Sequence, residues 1–171
     1  AQGFYAVPVQ NQIFIAGGVG FDTITKIENM RLYNPQTDKM QTLVCKSELK
    51  LPGLESPAVV SQGNTVLVMG GLGPTISNDI LQFDIDVVLN KCKAKVVDSN
   101  PEYGRMNASA VTLPGSTETE PRILLFGGDT GGTIVAAPLI IELGKPAAPT
   151  PTETPTKTPE PSATPTNTPA P

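Results

Sequence analysis

The stretch Val66-Leu67-Val68-Met69-Gly70-Gly71 decides the fold, because the chain writes it three times. Phe14-Ile15-Ala16 runs into Gly17-Gly18, and Ile123-Leu124-Leu125-Phe126 runs into Gly127-Gly128. Successive glycine pairs are 53 and 57 residues apart, and self-similarity at such a period marks a repeat architecture. Four or five apolar residues bounded by turn signals are too short for a helix. They suit a strand buried on both faces.

The same elements surround each copy. A short run precedes it: Ala6-Val7-Pro8-Val9, then Ala58-Val59-Val60, then Ala108-Ser109-Ala110-Val111. Turn residues such as Asn11-Gln12 and Gln62-Gly63-Asn64 separate that run from the apolar one. After the glycines comes a loop of variable length and a third segment, Ile27 to Tyr33 in the first repeat and Ile80 to Phe83 in the second. A fourth follows, Lys39 to Lys46 and Asn90 to Val97. No helical period runs anywhere, so the expected class is all-β.

Strand, paired glycine, loop, strand ending in an aromatic and a turn (Leu32-Tyr33-Asn34-Pro35), then an outer strand: this order resembles the kelch repeat. Arg105 ahead of Asn107-Ala108-Ser109-Ala110 also matches the arginine-then-small-residue opening of such repeats. The resemblance covers about residues 3 to 143. It departs at Met40, where a tryptophan is usual, and at Phe83-Asp84-Ile85, where Tyr-Asp-Pro is typical. It implies a partial kelch-like β-propeller over 1–144, with two full four-stranded blades and a partial third ending at Glu142-Leu143.

The paired glycines Gly17, Gly18, Gly70, Gly71, Gly127 and Gly128 then have a structural role. They permit positive φ and close backbone approach where the strand turns. Propellers close with about four to eight blades, more than this chain supplies. The expected partners are therefore further blades of a longer parent chain, or a second copy that covers the open edges.

Residues 145–171 hold nine prolines and eight threonines and no large apolar residue. Proline at this density denies helix and sheet hydrogen bonds and leaves an extended or disordered segment. It could span on the order of 80 Å at about 3.1 Å per residue. Its hydroxyl spacing reads as an O-glycosylated stalk, with Thr150, Thr152, Thr154, Thr156, Thr158, Ser162, Thr164, Thr166 and Thr168 as acceptors, or as an unmodified linker. Asn107-Ala108-Ser109 spells an N-glycosylation sequon, a tripeptide that also arises by chance.

Composition narrows the chemistry. The chain has no histidine, which removes Ser-His-Asp and Cys-His catalysis and the commonest zinc and copper ligand. A net charge of −4 with scattered basic residues argues against nucleic-acid binding. Lys91, Lys93 and Lys95 alternate along one expected strand and read as a solvated face. Cys45 and Cys92 permit one disulfide or two buried thiols. No apolar segment reaches the ~18 residues of a membrane helix.

Loops after the paired glycines are where propellers bind partners, which nominates Asp22, Asn78, Asp79 and Asp129 for a protein or glycan ligand. Asp22 and Asp79 could also form the carboxylate pair of a glycosidase, at a separation that sequence cannot fix. The glycine-rich loop Gly127 to Thr133 lacks the Lys-Ser/Thr of a phosphate cradle. Expected, then, is a secreted or surface-displayed, non-catalytic module without cofactor or metal, for adhesion, assembly into a layer or filament, or ligand display. The alternative is a carbohydrate-binding module or a fragment of a galactose-oxidase-like enzyme, whose copper ligands include histidines this chain does not have. An intracellular kelch adaptor fits the mucin-like tail poorly.

Overall fold

The computed structural model describes residues 2–19, 30–47 and 53–144. Asp22 and the acceptor hydroxyls of the 145–171 tail lie outside the described residues. Among the described residues the elements are twelve strands and one turn of 3₁₀ helix at Pro101–Tyr103. The all-β expectation therefore stands for the described residues.

The strands form three sheets. In the first, β1 (Gln2–Val9), β2 (Gln12–Val19), β3 (Arg31–Asn34) and β4 (Lys39–Thr42) pair antiparallel in chain order. In the second, β6 (Ala58–Gln62), β7 (Thr65–Met69), β8 (Asp79–Asp86) and β9 (Lys91–Ser99) do the same. The third contains β10 (Ser109–Thr112), β11 (Arg122–Phe126) and β12 (Leu139–Glu142). The extra strand, β5 (Val44–Ser47), runs parallel to β9 at the outer edge of the second sheet.

That strand alters the sequence reading. Lys39 to Lys46 reads as one outer strand, yet it divides at Leu43 between two sheets. Leu43 is buried, and its N–H donates to the Met30 carbonyl, which bends the chain out of the first sheet. Cys45 then falls opposite Cys92 and the two are joined as a disulfide.

The three sheets stack as layers with a hydrophobic core in each gap. Val9, Phe14, Ala16 and Leu32 of the first sheet meet Val66, Val68, Leu81 and Phe83 of the second. Leu67, Met69 and Ile80, from the second sheet's other face, meet Ile123, Leu125 and Ile141 of the third. Strand β7 is buried at every position because it has a neighbour on both sides. Strand β11, in the last layer, is buried only on alternate residues. The sheets approach one another along their first strands, β1 against β6 and β6 against β10.

Candidate functional site

The joint between consecutive sheets sets the surroundings of the paired glycines. Gly17 and Gly70 are in the left-handed region, φ +71° and +65°. A Cβ on Gly17 would overlap the Leu54 carbonyl, and one on Gly70 would overlap the carbonyls of Arg105 and Tyr103. Each glycine therefore faces the backbone leading into the next sheet. Gly71 adds a hydrogen bond, its N–H donating to the Arg105 carbonyl at 2.9 Å. Gly127 occupies the same position in the third sheet with φ +68°, and the space before it is empty to 4 Å.

A second feature recurs with the same register. Two residues ahead of each first-strand residue that pairs just before the glycines stand Gly3, Ser56 and Asn107. All three have positive φ: +66°, +51° and +57°. The Ser56 N–H donates to the Gly3 carbonyl, and the Asn107 N–H donates to the Ser56 carbonyl, both at 2.9 Å. One bond thus passes from sheet to sheet at equivalent positions.

Arg105 is the buried cation of this joint. Its Nε donates to the Glu102 carbonyl at 3.0 Å, and its Nη1 reaches the carbonyls of Gly127 and Ala137. It ties the 3₁₀ turn to the third glycine pair and to the segment before β12. The sequence flags Arg105 by motif but not this role. Leu54 fills the equivalent place in the second repeat, so no charge marks it there.

The nominated loop residues divide. Asn78 and Asp79 line one cleft of about 360 Å³ with Leu54, Thr75, Ile76 and Ser99. Asn78 fixes its wall, because the Asn100 N–H donates to its backbone carbonyl. Asp129 lies on the adjoining loop and organises it: Oδ1 accepts from the Gly131 N–H and Oδ2 from the Asn107 amide. The side-chain nitrogen of the sequon is therefore engaged by Asp129, although Asn107 itself is exposed. The two loops adjoin where Ile76 Cδ1 stands 3.3 Å from the Cβ direction of Gly131. Among the described residues no three of His, Cys, Asp and Glu gather as a metal site requires.

A larger cleft, about 490 Å³, lies at the opposite end of the second sheet beside the disulfide. Lys46, Lys91 and Lys93 line it with Asp84 and Asp86. Lys91 and Lys93 are exposed and sit directly across from Asp86 and Asp84, so opposite charges alternate along this edge. The sequence reading of a solvated lysine face agrees with that exposure. The cleft itself depends on β5 crossing to β9, for which the cysteine pair was the one signal.

Burial holds the Tyr103 phenol above its ordinary pKa, reinforced by a 2.7 Å hydrogen bond to Asp98 and the charges of Asp98 and Glu102. Tyr5 is raised by burial alone. Tyr33 is raised by its 2.9 Å hydrogen bond to Asp38 and by that carboxylate's charge, with burial adding to both. The sequence matches no protein-family model, and no curated protein matches it significantly.

Proposed function

We propose that the three sheets are consecutive blades of a kelch-like β-propeller and that the chain is a non-catalytic extracellular interaction or structural module on an O-glycosylated stalk. The observation that carries the blade reading is the recurrent joint. Equivalent residues (Gly3, Ser56, Asn107) are linked in series, first strands lie adjacent, and each glycine pair faces the lead-in of the next sheet. Repeats around a common axis require such a relation.

The Cys45–Cys92 disulfide supports an oxidising, extracellular setting. The cleft at Asn78 and Asp79 supports ligand display, since amide, hydroxyl and carboxylate groups over Leu54 and Ile76 suit a peptide or a sugar. Its role is adhesion, assembly or display, and not turnover. Intact-mass analysis of the protein from its native source tests the stalk: hexose increments confined to 145–171 are expected, and an unmodified mass would contradict it. Copper uptake with peroxide production would overturn the non-catalytic reading.

A further inference from the structure

Among the described residues, the outer face of the third sheet is uncovered and carries an apolar row, with the Arg122–Glu142 ion pair at one end. Val111, Leu124 and Ile140 lie in one row across β10, β11 and β12. Val111 is 46% exposed, Ile140 59%, and Phe126 on the same face 44%. In register this row is the counterpart of Val7, Phe14 and Leu32 in the first sheet, which pack against the second sheet. The second sheet has Val60, Leu67 and Gln82 there, facing the third. The third sheet therefore carries the donor half of a joint that the molecule already makes twice.

The receiving half is also present, at the other end. On the outer face of the first sheet, Ile13, Tyr33 and Met40 form a row, with Phe4 and Ile15 on the same face. Phe4 is 56% exposed and Met40 50%. These positions correspond to Val66, Phe83 and Ala94 in the second sheet and to Ile123 and Ile141 in the third, all buried against the preceding sheet. Gly127 gives the same answer from the backbone, because Gly17 and Gly70 each face a lead-in segment and Gly127 faces open space.

We propose that the occupant of the third sheet's outer face is the first sheet of a second copy of this chain, so that two copies close head to tail into one six-sheet ring. This rests on the blade reading above. Both halves of the joint belong to one chain, so a twofold pair satisfies both at once, and six sheets fall within the range in which propellers close. The series of hydrogen bonds continues across the new joint, with the N–H of Gly3 in one copy donating to the Asn107 carbonyl of the other. The 145–171 tail has no large apolar side chain with which to cover either face.

Sedimentation velocity of the full chain at about 1–50 μM tests the pairing. The expected species has twice the 17.9 kDa mass of one chain. Ile140→Glu and, separately, Phe4→Glu should each weaken pairing at least about 100-fold, since each buries an unpaired charge. Both side chains are exposed in the single copy, so unchanged circular dichroism is expected of the variants. A single-copy wild type with intact β-sheet circular dichroism overturns the second copy and leaves the blade reading in place; the cover would then be a repeat from a longer parent chain. A pair that survives both variants, or an open-ended polymer, overturns the proposed closure.

Discussion

Gly17, Gly70 and Gly127 hold one backbone position in three surroundings, and that contrast predicts unequal mutational costs. Gly70→Ala would set a Cβ among the carbonyls of Arg105 and Tyr103 as well as straining a left-handed φ. It should lower stability on the order of 3–5 kcal/mol. Gly127→Ala meets no neighbour and should cost about 1–2 kcal/mol, the left-handed strain alone. Urea denaturation at concentrations where the chain is a single copy measures both. The need for glycine at these sites was legible from their repetition. The positive φ of Ser56 was not, because serine does not favour it; Asn107 is of a type that tolerates the left-handed region, but the residue alone does not mark the position. The tyrosines give a pH prediction. All three have pKa values raised above the ordinary 10.0 in the folded state. Their contribution to stability is complete below pH 10 and is lost as pH rises through the folded-state values. Tyrosinate absorbance of the folded chain should therefore stay low at pH 10, and the onset of alkaline unfolding should coincide with its rise. Tyr103→Phe should lower stability at neutral pH by about 1–2 kcal/mol, through loss of the Asp98 bond, and flatten the alkaline decline.

At the scale of elements, β5 belongs by sequence to the first repeat and by pairing to the second. Nothing between Lys39 and Lys46 breaks a strand. The division at Leu43 comes from burial of that side chain and from the fit of Cys45 against Cys92, both tertiary effects. The disulfide closes a loop across 47 positions and clamps β5 to β9. Replacing both cysteines by serine should lower stability by about 2–4 kcal/mol, measured by urea denaturation. It should also raise hydrogen exchange at Val44–Ser47 before any other strand of that sheet. Strand β7 was fully legible, since a continuous apolar run needs cover on both faces. Strand β11 carries the same signature, yet among the described residues only its alternate positions are buried and Phe126 is exposed.

For the molecule as a whole, the three described layers leave Val111, Phe126 and Ile140 exposed on one terminal face and Phe4 and Met40 on the other, and in register these faces match the two sides of the joint between consecutive sheets. The sequence period foretold layers of one kind, and three such sheets are described. Which faces correspond could come only from the register, where Val111, Leu124 and Ile140 align with Val7, Phe14 and Leu32. The candidate loops were legible in part. Asn78 and Asp79 share a cleft, whereas Asp129 serves its own loop and the Asn107 amide. Sequence carries loop position but not which loops meet. In the proposed assembly the sheets fan about a common axis with their first strands innermost, three from each of two copies. Two-dimensional electron-microscopy averages of the full chain would show that arrangement. A disc of six spokes with twofold symmetry about a central axis is expected, and a straight stack of parallel layers without an axis would overturn the fan.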